Sequence, residues 1–221
     1  MPNLRALCAT ALTLMTLPAF AKPEPVSPTV FGEVYRANKS ALLVARPNGS
    51  ESPATTGFLL GAEGELLIGA KARPAAEFAV VVDGELSLSA RLLDHDEDLG
   101  LAVAKLVGID ARSLPRLPLR AAKKQGLSLQ TWAVVMTHSA SGASEPFAGI
   151  VESEPAIRGR RAWRKRSLLI SQVAAPGRPG SPVLSSKGEL VGVVVGAGSR
   201  RVEVVALPSL LPFLRAAVLG P

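Results

Sequence analysis

Short apolar runs parted by turn residues at intervals of about ten residues constrain this chain more than any other feature. Such runs are too short for helices and are rich in Val, Leu and Ala, and the turns between them carry Gly, Pro and Asp-Gly. The pattern predicts strands at 41–45, across 57–72 as a hairpin around Ala62-Glu63-Gly64, at 78–82 and 86–93 joined by Asp83-Gly84, and at 99–106. After a proline-marked break at 107–120 the same style resumes, with strands at 127–136, 147–151, 168–173 and 202–206. Residues 176–196 form a tight Gly/Pro loop and a further hairpin whose polar link is Ser185 to Gly188. Helical spacing of Phe31, Val34 and Tyr35 predicts a short helical turn over 30–38, and Leu207-Pro208-Ser209 opens a C-terminal helix over 207–219. An all-β chain follows, of the sandwich or barrel class.

Residues 1–21 place Arg5 before an apolar block and close on Ala19-Phe20-Ala21, a small-x-small site. The block is too short to span a bilayer, so it reads as a secretory signal peptide. Cleavage there would remove Cys8, the single cysteine, and exclude any disulfide from the mature chain. What remains, after a Pro-rich lead-in at 22–30, is one domain's worth, large enough to bury a core without staples. The formal charge is +7, or +6 with 24 Lys and Arg against 18 Asp and Glu once Arg5 is lost. A basic exported protein favours anionic envelope surfaces, although charge of this size also serves solubility alone.

The stretch P-G-R-P-G-S-P-V-L-S-S-K-G-E-L-V-G from Pro176 to Gly192 resembles the nucleophile segment of trypsin/chymotrypsin-like serine proteases, closest to the HtrA/Deg branch, which reads P-G-N-S-G-G-P-L-V-N-x-x-G-E-V-I-G-I. Without a gap, Pro176-Gly177, Pro182, Gly188-Glu189 and Gly192 fall on their counterparts, and Pro179 falls on the nucleophilic serine. Gly177 and Gly180 match the loop that carries the oxyanion hole. Proline has no hydroxyl to attack with. It also lacks the backbone N–H that the resemblance makes an oxyanion donor.

Three further segments carry the likeness. G-F-L-L-G-A-E-G-E-L-L-I-G-A-K-A at 57–72 is similar to G-F-I-I-S-P-D-G-Y-I-L-T-N-N-H-V, with Lys71 at the catalytic histidine. A lysine acts as a base only when burial depresses its pKa. The acidic stretch D-H-D-E-D at 94–98 and the apolar run after it resemble the element D-x-x-x-D-L-A-V-L-K-I, which implies that Asp98 is the triad carboxylate, with Asp94 and Asp96 as competitors. Residues 107–120 resemble the linker between barrels, 147–151 the strand T-S-G-I-V-S, and 206–209 the A-I-P-S that precedes a final helix. The resemblance implies a trypsin-like double barrel: two six-stranded Greek-key β-barrels, the first over about 40–106, a linker at 107–120, and the second over about 121–206, with a C-terminal helix at 207–219, all within a peptidase domain of 31–220. No PDZ module is expected.

Of the three triad positions only Asp98 keeps suitable chemistry, so the leading expectation is a pseudoprotease that binds a protein or peptide in the cleft between the barrels. A live alternative makes Ser181 the nucleophile, with Lys71, His138 or His95 as base. That register requires a two-residue deletion after Ser181, against the gap-free match of Pro182 and Gly188. His138 falls in the predicted Ser/Gly/Ala loop at 137–146 and His95 in the acidic stretch, and both are expected to be exposed. His95 with its neighbouring carboxylates suggests a metal, but no second ligand cluster at suitable spacing supports one, and neither metal nor cofactor is expected.

The densest charge run, at 157–166, sets Arg158, Arg160, Arg161, Arg164, Lys165 and Arg166 around Trp163. Such a run would grip phosphates and stack on rings. For an exported chain an anionic envelope polymer is a better match than nucleic acid, which is not expected, and a solvated surface loop accounts for the same composition.

Overall fold

The computed structural model describes residues 27–48, 54–70, 76–82, 86–117, 131–139, 142–153, 167–172, 177–198 and 200–219. Residues 1–21, Lys71 and 158–166 lie outside them. Helix α1 (Pro28–Asn38) starts where sequence chemistry dictates: Ser27 Oγ accepts the Thr29 N–H at 3.2 Å, and Pro28 occupies the first turn, where its missing N–H costs nothing. Strands β1 (Leu42–Pro47), β2 (Thr55–Leu59), β3 (Glu65–Gly69), β4 (Glu77–Val82), β5 (Leu86–Asp96) and β6 (Leu101–Val107) follow. They pair antiparallel in the order β1-β2-β3-β6-β5-β4, and β4 closes the barrel on β1.

The second barrel repeats this connectivity. Strands β7 (Trp132–His138), β8 (Ser144–Ser153), β9 (Ser167–Gln172), β10 (Pro182–Leu184), β11 (Leu190–Ala197) and β12 (Arg201–Ala206) pair as β7-β8-β9-β12-β11-β10, and β10 closes on β7. Helix α2 (Leu207–Leu219) ends the described chain. The trypsin-like double barrel expected from the sequence is the fold observed.

Burial explains why several runs are continuously apolar instead of alternating. Leu43, Leu66, Ile68 and Val80 fill the interior of the first barrel, while Val135, Val183, Val194 and Val204 fill the second. The intervening residues pack between the barrels: Leu42, Phe58, Leu67 and Val103 from one side meet Val134, Met136, Leu184 and Val205 from the other. Leu207, Leu210 and Leu214 of α2 and Val34 of α1 seal this third cluster. A strand buried on both faces requires apolar side chains at every position, and 42–44, 66–68 and 133–136 supply them.

Two expectations are corrected. Strand β5 does not stop at the predicted 93 but continues into the acidic stretch: Asp94 opposes Val103, His95 opposes Ala102 and Asp96 opposes Leu101. A shift of register between Leu92 and Asp94 bends the strand at the barrel rim, where one extra residue lets polar side chains stay in water while the ladder continues. Nor does His138 sit in an exposed loop. Strand β7 runs two residues past the apolar block and ends on His138, which opposes Ser144 at the start of β8.

Candidate functional site

Residues 177–181 of the Gly/Pro loop lead into β10 at the seam between the barrels. Gly177 lies against Phe147 and Val202 of the second barrel, while Pro179 and Gly180 rest on Gly69 and Thr56 of the first. Gly180 has φ of +88°, and its N–H donates to the Val194 carbonyl at 2.9 Å. The Ser181 N–H donates to the Arg178 carbonyl at 3.0 Å, and the Ser181 carbonyl accepts from Val194 at 2.9 Å. Sequence chemistry accounts for the turn, since Pro179 sets φ at its first corner and Gly180 supplies the left-handed second corner.

This loop meets the other two predicted segments. Gly69 and Ala70 deliver the chain to Lys71, and the Ala70 N–H donates to the carbonyl of Gly100 at 2.8 Å. Gly100 closes the turn that holds Asp98. The segments bearing Lys71, Asp98 and Pro179 therefore converge on the end of β3, although Lys71 itself is outside the described residues. Asp98 is half-buried. Its competitors have structural occupations: Asp96 Oδ1 accepts the N–H groups of Asp98 at 2.8 Å and Leu99 at 3.0 Å, and Asp94 Oδ1 accepts that of His95 at 2.8 Å. His95 is exposed, 3.8 Å from the carboxylate of Glu97.

Few backbone donors of this loop face outward at the proline. Pro179 has no N–H, and those of Gly180 and Ser181 are committed to carbonyls of their own barrel and loop. Ser181 is 0% exposed, and its hydroxyl has no hydrogen-bond partner among the described residues. A serine without solvent-facing surface cannot meet a substrate carbonyl in this conformation.

Two threonines and Arg178 at the seam escaped the sequence reading, and His138 was expected in an exposed loop. Thr56 and Thr137, one from each barrel, are fully buried with their hydroxyl oxygens 3.5 Å apart. His138 is 8% exposed, and its Nδ1 has no partner among the described residues. Burial, assisted by the charge of Arg178, lowers its pKa from 6.5 to about 4. Arg178 is half-buried and donates from Nη1 to the Ala54 carbonyl at 3.4 Å. The available signal was the placement of these residues: Thr137 and His138 continue an unbroken apolar run, and Arg178 is the one charged residue inside the Gly/Pro loop.

The threonine pair gives a direct test of the seam. Thr56→Val or Thr137→Val alone should destabilise the protein by about 1–2 kcal/mol, because each leaves a buried hydroxyl without its partner. The double substitution should cost less than the sum of the singles. Urea unfolding of the three variants measures the coupling, and strict additivity would show that the hydroxyls do not interact.

The family model described as a trypsin-like peptidase domain matches residues 55–193, more than half of the chain, from the start of β2 into β11. The chain belongs to the trypsin-like peptidase family. The match encloses Lys71, Asp98 and Pro179. Among solved structures, the serine endoprotease of Yersinia pestis superposes with a TM-score of 0.72 at 16% identity, over 88% of this chain and 68% of that one. Protease Rv3671c of M. tuberculosis, in an inactive form, gives 0.68 at 18% identity over 91% and 98%. The HtrA-type protease AlgW, solved with a tripeptide, gives 0.68 at 18% identity over 85% and 63%. These likenesses show a trypsin-like protease fold of HtrA type. No curated protein matches the sequence.

Proposed function

We propose that this trypsin-like peptidase chain is an exported, non-catalytic member of its family that acts by binding a protein or peptide in the cleft between the barrels. What carries the reading is Pro179, which the sequence resemblance puts at the nucleophile position, in a loop that lies across the seam and there lacks both hydroxyl and N–H. The lysine at the base position and the complete burial of Ser181 support it, because neither the inherited triad nor its nearest substitute supplies an accessible nucleophile beside a base. Retention of the seam without its chemistry favours a role for the surface itself. Export rests on the leader-like residues 1–21, and no helix among the described residues is long and apolar enough to cross a membrane. The basic run around Trp163 favours an anionic envelope polymer as an additional partner, through charge and ring stacking independent of the cleft.

The test is labelling of the purified mature protein by a fluorophosphonate probe, which reacts with activated serines and ignores ordinary ones. No labelling is expected in a folded sample. Labelling that disappears in Ser181→Ala would overturn the proposal and make Ser181 the nucleophile of a rearranged centre.

A further inference from the structure

The seam between the barrels changes character along its length. Helix α2 straps one stretch, packing against β5 and β6 of the first barrel and β11 and β12 of the second, where Leu207, Leu210 and Leu214 join the apolar cluster. The Gly/Pro loop closes another stretch. Val194 exchanges backbone hydrogen bonds with Gly180 and Ser181 and pairs with Val204, from which β12 runs on to Ala206 before α2 begins. The loop and the root of the helix thus stand apart along the same strand.

At the loop the seam is polar and loosely tied. Thr56 meets Thr137 across it at 3.5 Å, and Arg178 reaches the Ala54 carbonyl at 3.4 Å, both beyond the usual upper limit of about 3.2 Å. The N–H groups of Gly180 and Ser181 donate to Val194 and Arg178, so they add no bond to the first barrel. Extending the register of Val183 with Val135 and Leu184 with Val134 by two residues sets Ser181 level with Thr137. Ser181 Oγ is buried with no partner among the described residues. Closure at this end therefore holds an unpaired hydroxyl away from water, and parting the barrels here would rehydrate it together with both threonines. The same motion at the α2 end would expose leucine side chains instead.

We propose that the barrels part at the loop end of their seam, hinging on α2, and that the structure described is the closed state of this motion. The close backbone contacts of Gly180 with Thr56 and Gly69 are contacts of shape, and they separate together when the barrels move as rigid units. Met136 is the reporter placed to sense the motion. It precedes Thr137 on β7, is 0% exposed, and belongs to the apolar cluster between the barrels. The inference concerns the barrels themselves and does not depend on what the cleft between them binds.

The experiment is oxidation of Met136 by hydrogen peroxide in the wild-type protein near neutral pH, followed by mass spectrometry of the peptide that carries it. Met136 is the single methionine after residue 21, and its buried thioether becomes a sulfoxide only when the seam admits the reagent. Oxidation roughly tenfold or more faster than the globally unfolded fraction allows is expected. It should depend little on urea below the unfolding transition, because a partial opening exposes little surface. Ser181→Cys, the single thiol in a chain begun at Lys22, should react with N-ethylmaleimide with the same weak urea dependence. Val204→Cys, inside the second barrel, should react at least about tenfold more slowly, through global unfolding. Met136 oxidation that follows only global unfolding would overturn the hinge, whether or not the cysteine variants fold. Labelling of Ser181→Cys beside a protected Met136 would mean that the loop peels away alone, and equal labelling of Val204→Cys that the second barrel itself opens; either result would overturn the hinge as well. None of these readouts follows hydrolysis or peptide binding, so fluorophosphonate labelling would sink the non-catalytic reading and leave the hinge standing.

Discussion

Gly180→Ala should destabilise the protein by about 4 kcal/mol or more, enough to abolish cooperative unfolding in urea at ordinary temperature. Two independent effects combine. The residue has φ of +88°, a conformation that costs an L-residue with a Cβ roughly 1–2 kcal/mol. Steric overlap contributes more, because a Cβ at this position would collide with the Thr56 carbonyl oxygen and the Gly69 nitrogen. Both are backbone atoms of the first barrel and neither can retreat alone. Thr56 is locked opposite Val44 in the β1–β2 ladder, and Gly69 opposite Leu101 in the β3–β6 ladder. Relief therefore requires the barrels to part, which would expose the cluster containing Phe58, Leu67, Val134 and Leu184. Gly100→Ala is the informative comparison. Its φ of +64° carries similar conformational strain, but the nearest obstacle is the Ala70 carbonyl at 3.3 Å, so about 1–2 kcal/mol is expected. Equal effects of the two substitutions would show that the loop does not pack against the first barrel as described.

This packing also explains which parts of the molecule were legible in the sequence. The strands were, because their apolar runs are bounded by turn residues and their pairing follows a repeated connectivity. Thus 78–82 and 86–93 around Asp83-Gly84 correspond to β4 and the larger part of β5. The end of β5 was not, since Asp94, His95 and Asp96 carry the composition of a loop and remain in the ladder only through the bulge beside Leu92. For the same reason His138 was misplaced: a histidine after an apolar run reads as the start of a loop, and only tertiary burial keeps it in β7. The convergence of Asp98 with the loop at Pro179 was legible through the family resemblance, as it depends on contacts between segments far apart in the chain. The cost of burying Ser181 and His138 depends on what surrounds them, and no spacing rule in the sequence records it.

His138 should make the protein acid-labile over a defined window. The imidazole is buried in its neutral form, and its pKa falls from 6.5 to about 4, first through burial and then through the positive charge of Arg178. The folded state thus binds the proton more weakly than the unfolded chain does. Above pH 6.5 the group is neutral in both states and costs nothing. As the pH falls from 6.5 towards 4 the unfolded chain takes up a proton that the folded protein refuses, and stability declines throughout that interval. At roughly 1.4 kcal/mol for each unit of displacement the loss reaches up to about 3 kcal/mol, less whatever solvent near the half-exposed Arg178 screens. Below pH 4 both states are charged and this contribution levels off, leaving carboxylate protonation to govern any further change. Urea unfolding measured at intervals across the window should show the decline in the wild-type protein. In His138→Gln, which keeps an amide of comparable reach but has no proton to gain, the curve should flatten. A wild-type curve that is already flat between pH 6.5 and 4 would mean that His138 accepts its proton in place, and the burial of the imidazole at the end of β7 would be wrong.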